Sequence, residues 1–167
     1  MKKNKNKKII TANDLGRIRR ENSNIVFCSG CYDVLQSGHV YFFKQCKQFG
    51  NTLVVSLGSD KVVRDLKGPN RPINPQDNRA YLLAGLEDVD YVIIGGDEIL
   101  PGKIDFKYNI EKLRPDIFVV NNNDSAIEEK KSLCQELGIR LELVPRIVPD
   151  YLKPTSSTEI IEKFTAH

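Results

Sequence analysis

The stretch 27–43, FCSGCYDVLQSGHVYFF, has the pattern of a strand, a tight turn of small residues and the start of a helix. Its β-branched and aromatic residues predict a strand over residues 24–29. A helix that begins near Gly38 directs its free backbone N–H groups, and the positive end of its dipole, back toward the turn. The stretch therefore predicts one unit of an α/β fold, with a turn suited to binding phosphate.

The rest of the chain repeats this alternation of strands and helices. Strands are predicted at 24–29, 52–58, 91–96, 116–120 and 140–144, and helices at 11–21, 38–49, 59–66, 75–86, 106–113, 125–137 and 156–164. Asn74 is the predicted N-cap of the 75–86 helix, with Pro75 as its first residue. Together they predict a single doubly wound, Rossmann-like parallel sheet of five strands, with helices on both faces. Ligands of such sheets bind at the carboxyl ends of strands, which directs attention to the loops after Ser29, Gly58, Gly95 and Val120.

Length and charge predict one domain with a short basic tail. The 167 residues carry a net charge of +3, and Lys2, Lys3, Lys5, Lys7 and Lys8 supply much of the excess. We predict a disordered tail at 1–8 and a single folded domain at 9–167. Because no apolar run follows the tail, we expect neither a signal peptide nor a membrane span. We therefore expect a cytoplasmic protein. No recognition signature supports nucleic-acid binding by the tail.

Cys28 and Cys31 form a C-x-x-C pair, but its context is wrong for metal or redox chemistry. No second pair and no histidine cluster completes a zinc site, and a redox pair normally opens a helix. Cys28 instead belongs to the predicted strand. We expect both residues to pack as small side chains beneath the turn.

Three groups of residues could bind phosphate, and each also has a structural interpretation. Gly30, Gly38 and His39 make the turn, although a lone Gly-His pair is also typical of a helix cap. The loop LKGPNRPINPQDNR brings three cations, Lys67, Arg71 and Arg79, to the end of the second strand. The alternative interpretation is an ordinary solvated basic loop. The hydroxyls of Ser156, Ser157 and Thr158 begin the last helix, where capping and phosphate binding are compatible.

GCYDVLQSGHVYFF resembles the signature of the cytidylyltransferase-like nucleotidyltransferases, G-x-F-D-x-x-H-x-G-H-x-x-x-L. The match covers Gly30, Tyr32, Asp33, Gly38 and His39. The later stretches VVSLGSDKVVRDLKGPNRPINPQDNRAYLLAGLEDVDYVI and TSSTEIIEKF are similar to the adenylyltransferase domain of ADP-heptose synthase. Glycerol-3-phosphate cytidylyltransferase is a more distant likeness.

The resemblance implies a nucleotidyltransferase that joins a nucleoside triphosphate, ATP or CTP, to a phosphorylated sugar or polyol and releases pyrophosphate. It implies Mg²⁺ held mainly by the triphosphate rather than by protein ligands, and a homodimer. By position, His39 is the second histidine of the motif, Lys67 stabilises charge, and Gln36 is a neutral donor. The implied nucleotide- and phosphate-binding residues are Gly30, Cys31, Tyr32, Asp33, Gly38, Arg71, Arg79, Asn121, Asn122, Asp124, Ser156, Ser157 and Thr158.

The chain departs from the family pattern at two places. Gln36 replaces the first histidine, and an amide donates hydrogen bonds but carries no positive charge. VVNNNDS replaces a K-G-G-D-like stretch, so that Asn121 and Asn122 either contact the nucleotide or form a plain turn, with Asp124 in place of the acid. These departures leave two interpretations, a working enzyme and an impaired homologue that binds nucleotide or sugar phosphate without turnover.

Overall fold

The computed structural model describes residues 6–165, which form one six-stranded parallel sheet with helices on both faces. Its strands are β1 (Ile9–Ile10), β2 (Ile25–Gly30), β3 (Thr52–Leu57), β4 (Tyr91–Ile94), β5 (Ile117–Asn121) and β6 (Arg140–Val144). Its helices are α1 (Leu15–Glu21), α2 (Ser37–Lys47), α3 (Asp60–Lys67), α4 (Gln76–Ala84), α5 (Lys107–Leu113), α6 (Ile127–Leu137) and α7 (Ser157–Thr165). The predicted doubly wound α/β fold is confirmed.

The sheet order β1-β4-β3-β2-β5-β6 creates a crevice beside β2. The chain moves outward from β2 through β3 to β4, and then returns to the other side of β2 at β5. Val26 consequently pairs with Leu53 on one side and with Ile117 on the other. The loops that follow β2 and β5 leave in opposite directions, which opens a ligand site at their carboxyl ends.

The additional sixth strand, β1, lies at the edge of the sheet. Ile9 and Ile10 pair with Val92 and Ile93 of β4. Two residues are too few to show the period-two pattern by which sequence indicates a strand. The Lys8 ammonium also donates to the main-chain carbonyl oxygens of two residues ahead of β4. Lys8 therefore belongs to the folded domain rather than to the predicted tail, of which residues 1–5 lie outside the described part.

Apolar side chains cover both faces of the central strand β2. Successive strand residues point to opposite faces of the sheet. Val26 and Cys28 therefore lie in one core cluster, together with residues of α2 and α4. Ile25 and Phe27 lie in the other cluster, together with residues of α1, α5 and α6. Cys28 is fully buried with a free thiol, in agreement with the packing role expected of it, and its sulfur accepts a hydrogen bond from the Tyr32 hydroxyl. This burial on both faces fixes the end of β2, and it thereby fixes the position of the turn that follows the strand.

Two predicted helix ends have different outcomes. Gly138 ends α6 in the left-handed conformation, with φ of 68°, as its sequence position predicts. The predicted N-cap role of Asn74 is wrong, because Pro75 occupies the cap position and α4 begins at Gln76. The Asn74 side chain instead donates to the carbonyl oxygen of Asp33 at 3.1 Å.

Within residues 6–165, no helix has the length and apolarity needed to cross a bilayer.

Candidate active site

A cavity of about 370 Å³ lies at the carboxyl edge of the sheet, beside the crevice between β2 and β5. It is lined from four directions, by the turn after β2, by the α3–α4 loop, by the ends of β5 and β6, and by the start of α7. Most of the residues singled out from sequence meet there: Gly30, Cys31, Tyr32, Asp33, Gln36, Gly38, His39, Lys67, Arg71, Asn121, Asp124, Ser156, Ser157 and Thr158. Arg79 and Asn122 do not line it.

The turn after β2 is built around the aromatic ring of Tyr32. A Cβ at position 30 would lie 2.8 Å from that ring, so glycine is needed there. The Tyr32 ring is largely buried and meets His39 edge-on, with ring centroids 5.4 Å apart, and also packs on Phe43. Gly30 and Tyr32 therefore act as supports that fix the imidazole of His39 at the wall of the cavity.

His39 is neutral at physiological pH in the unliganded protein. It lies in the first turn of α2, where its backbone N–H donates to the carbonyl oxygen of Gln36 at 3.0 Å. Burial, with the nearby Arg146 and Lys67 cations, lowers the pKa of His39 to about 4. Its Nδ1 is buried and has no hydrogen-bond partner among the described residues. Phosphate oxygens would supply that partner, and their negative charge would raise the pKa again.

Asp33 lines the cavity, but its carboxylate is engaged in anchoring the cationic loop. Its carboxylate accepts from Arg71 Nε at 2.5 Å and from the backbone N–H groups of Ile73 and Asn74. Burial raises the pKa of Asp33, but the hydrogen bonds from Asn74, Ile73 and Arg71 outweigh it and hold the pKa below the ordinary value. The Asp33 carboxylate therefore fixes the orientation of the Arg71 guanidinium.

Arg71 is held in place by Asp33 and keeps one end of its guanidinium for a ligand. Its side chain is 13% exposed, and its Nη2 is buried without a partner among residues 6–165. Arg71 also lines the cavity. Because an unpaired buried donor is costly, this arrangement favours an anion in the cavity that accepts from Nη2.

The phosphate-binding role predicted for Arg79 is not supported by its position. Arg79 is 1% exposed, and its guanidinium donates to the carbonyl oxygens of Cys31, Gly58 and Asn74 and to the carboxylate of Asp60. These partners come from the ends of β2 and β3 and from the start of α3 and α4. Arg79 therefore ties together the elements that surround the cavity, and sequence alone does not distinguish such a buried arginine from an exposed one.

Lys67 and Arg146 place two exposed cations at the cavity. Lys67 ends α3, and within the described chain no carboxylate forms an ion pair with it or with Arg146. Sequence reasoning missed Arg146, which follows β6 by two residues. The rule that ligands bind at the carboxyl ends of strands applied to that strand as well and would have found it.

Three hydroxyl residues at the start of α7 perform three different tasks. Ser156 and Glu159 form a reciprocal capping box, in which Ser156 Oγ accepts from the Glu159 N–H at 3.1 Å and the Glu159 carboxylate accepts from the Ser156 N–H. Ser157 Oγ donates to the carbonyl oxygen of Val34 at 3.0 Å. The Thr158 hydroxyl has no partner in the described structure and remains available at the cavity.

The loop after β5 contributes one amide to the cavity. Asn121 Oδ1 is buried without a partner among residues 6–165. Asp124 contacts the cavity, but its carboxylate accepts from the Ala126 N–H at 2.8 Å and pairs with the buried Lys130 at 2.7 Å. The Asn122 side chain is exposed away from the cavity. Asn121 is therefore the residue of this loop best placed to contact a nucleotide.

Asp105 is a buried carboxylate that sequence reasoning did not single out. A Cβ atom at position 95 would lie 2.6 Å from Asp105 Oδ2, so the glycine there leaves room for the carboxylate. This oxygen has no hydrogen-bond partner in the described chain. Burial raises the pKa of Asp105 to about 6, despite a backbone hydrogen bond and the opposing charge of Lys130. The folded protein thus binds this proton more tightly than the unfolded chain does, and stability is lost as the pH rises through 6.

Asp105→Asn should therefore stabilise the protein at pH 7.5 and leave it nearly unchanged at pH 4. A shift from 3.8 to about 6 corresponds to about 2–3 kcal/mol of unfolding free energy at the higher pH. Urea unfolding of wild type and variant at both pH values measures the difference. Asp97→Asn, at an exposed position, is the control and should show no such dependence. An equal effect of Asp105→Asn at the two pH values would contradict the assignment.

Comparison with known proteins shows the family to which this chain belongs. A profile described as cytidylyltransferase-like matches residues 27–163. The chain belongs to the cytidylyltransferase-like family. It is 38% identical over 157 residues to the bifunctional protein HldE of Campylobacter fetus subsp. fetus. The aligned region covers 94% of this chain and 31% of the relative. Identity to HldE of Nitratiruptor sp. is 36%, over 87% of this chain and 29% of the relative.

Solved structures share this fold. The lipopolysaccharide core biosynthesis protein of Thermoplasma volcanium superimposes with a TM-score of 0.62 at 27% identity, over 75% of this chain and 98% of that one. Pantoate-beta-alanine ligase of Francisella tularensis gives the same TM-score at 16% identity, over 94% of this chain and 76% of that one, and shows the fold alone. The chain spans about a third of the length of the HldE relatives, so it corresponds to one part of those proteins.

Proposed function

We propose that this cytidylyltransferase-like protein transfers a nucleotidyl group from ATP or CTP to a phosphorylated sugar or polyol similar to a heptose 1-phosphate. The observation that carries the proposal is the unpaired donor set of the cavity. Lys67, Arg146 and the free Nη2 of Arg71 supply positive charge, and the start of α7 supplies backbone N–H groups. Such a set suits a triphosphate together with a second phosphate.

In the proposed reaction, a phosphate oxygen of the acceptor attacks the α-phosphorus of the nucleotide. The new bond joins that oxygen to the α-phosphorus, the bond from the α-phosphorus to the β-bridging oxygen breaks, and pyrophosphate leaves with the electron pair. No covalent intermediate with the protein is required. Lys67 and Arg71 hold the phosphates together, and His39 donates to the oxygens on which charge develops. The contribution of the protein is positioning and electrostatic stabilisation.

Mg²⁺ is proposed to enter with the nucleotide, bound mainly by its phosphates. No group of three or more metal-ligating side chains occurs among residues 6–165. The two carboxylates that line the cavity are already engaged, Asp33 by Arg71 and Asp124 by Lys130. This donor set fits a metal that the substrate brings. A homodimer and a cytoplasmic location stay predictions from the family resemblance.

Gln36→Ala is expected to lower turnover about 10²-fold, because one transition-state donor is lost. Gln36→Glu preserves the shape but replaces the donor by a negative charge that repels phosphate, so a greater loss is expected. Pyrophosphate release measures both. If Gln36→Ala turned over as fast as wild type, Gln36 would have no part in the reaction.

The substrate is tested by a screen of pyrophosphate release. Each of four nucleoside triphosphates is paired with a panel of phosphorylated sugars and polyols, with the unphosphorylated compounds as controls. We expect release that requires both a nucleotide and a phosphorylated acceptor. Tight nucleotide binding without turnover for any acceptor would overturn the proposal in favour of a protein that binds nucleotide only.

A further inference from the structure

Gln36, which replaces the first histidine of the motif, is in contact with a residue 119 positions away along the chain. The Thr155 hydroxyl donates to Gln36 Oε1 at 3.2 Å. The same oxygen would lie 3.3 Å from a Cβ at Gly38, so the absence of a side chain there leaves room for it. The oxygen end of the amide is thus located between Thr155 and Gly38.

The position of the oxygen decides where the donor end of the amide points. A side-chain amide carries its acceptor and its donors on opposite branches, so with Oε1 against Thr155 the Nε2 group is turned away from it. No acceptor in the described chain takes the Nε2 hydrogens, and Gln36 lines the cavity. The Nε2 group is therefore free to donate to a ligand in the cavity.

A bound triphosphate favours the same orientation. If the amide were turned over, its carbonyl oxygen would face phosphate oxygens, which are acceptors without hydrogens to offer. The Thr155 hydroxyl can donate or accept, and in this structure it donates to Oε1. The phosphates therefore select the orientation in which the amide donors face them, and the Thr155 hydroxyl stabilises that orientation by its bond to Oε1.

The segment that carries Thr155 is fixed by an independent contact. Ser157 Oγ donates to the carbonyl oxygen of Val34, two residues before Gln36. This bond and the capping box at Ser156 hold the start of α7 against the turn that leads into α2. Docking of the two helix starts does not depend on Thr155, which leaves its hydroxyl to orient the amide.

We propose that Thr155 is a positioning residue that holds the Gln36 amide with Nε2 toward the phosphates. Together the two residues replace the first histidine of the motif by an oriented neutral donor. Lys67, Arg71 and Arg146, which line the same cavity, supply formal positive charge that the Gln36 amide cannot. This inference rests on the proposed function and names the partner of one of its residues.

The test is a double-mutant cycle between positions 155 and 36. Thr155→Val keeps the shape and removes the hydroxyl, and should lower kcat about three- to tenfold with little change in the KM for nucleotide. Thr155→Ser should retain wild-type kcat. In a Gln36→Ala background, Thr155→Val should have no further effect.

Two results would overturn the proposal. One is an unchanged kcat in Thr155→Val, and the other is an equal loss on both backgrounds, which indicates a merely structural role. If wild type binds nucleotide but turns over no acceptor, the proposed function fails and the cycle is measured by calorimetric nucleotide affinity. Thr155→Val should then weaken binding only when Gln36 is present, and additive effects would refute the pairing.

Discussion

Replacing His39 by alanine is expected to reduce turnover about 10²- to 10³-fold, the largest loss that we predict for an alanine substitution in this protein. The reason is that His39 is a partly buried donor at the cavity wall, and that Tyr32 and the first turn of α2 fix its position in advance. A donor that is already oriented stabilises developing charge without reorganisation. Pyrophosphate release under saturating substrates measures the loss.

His39→Gln is the matched variant for this prediction. Glutamine restores a neutral donor but cannot accept a proton, so it tests whether neutral donation is sufficient. We expect His39→Gln to recover part of the activity lost in His39→Ala. Nucleotide affinity should change much less than turnover in both variants. A His39→Ala protein with normal turnover would remove His39 from the mechanism.

Replacing Arg79 by lysine is expected to lower the free energy of unfolding by about 3–5 kcal/mol. Lysine keeps the charge but cannot reach all four acceptors of the buried guanidinium, so the partly exposed carboxylate of Asp60 and three carbonyl groups lose hydrogen bonds. Urea-induced unfolding, followed by circular dichroism, measures the effect. This is the largest stability change that we predict for a polar residue of this protein.

Arg64→Ala and Lys67→Ala are the controls for Arg79. Arg64 is exposed on α3 and should change unfolding free energy by no more than about 0.5 kcal/mol. Lys67→Ala should leave stability equally unchanged but reduce turnover, because Lys67 lines the cavity and is proposed to bind the phosphates. An Arg79→Lys protein of normal stability that has lost nucleotide binding would show instead that Arg79 is a ligand contact.

Sequence predicted the fold and most of the site because both follow local rules. The strand, turn and helix at 27–43 carry their own signals in apolar content, small residues and a helix start, and the alternation of elements determines the doubly wound sheet. The carboxyl-end rule then brings Lys67, His39 and Asn121 to one edge. Of the strands in the described residues, β1 is the one that was not predicted, because two residues are too few to show a periodic signal.

The remaining site residues depend on contacts between distant segments. Arg71 and Arg79 have the same chemistry and lie in one loop and the helix after it, yet one faces the cavity and the other is saturated by carbonyl groups. Thr155 acquires its role only through Gln36, and Asp105 only through burial near Gly95. No spacing pattern encodes such partners, because tertiary packing creates them.

Transfer of label from the α-phosphorus of the nucleotide tests the central claim most directly. ATP or CTP labelled at the α-phosphate, or in parallel at the γ-phosphate, is incubated with the acceptor identified by the screen, and the products are separated. The account predicts that α-label appears in the acceptor product and γ-label only in pyrophosphate. Appearance of γ-label in the acceptor, or α-label that stays entirely in free nucleotide, would contradict nucleotidyl transfer.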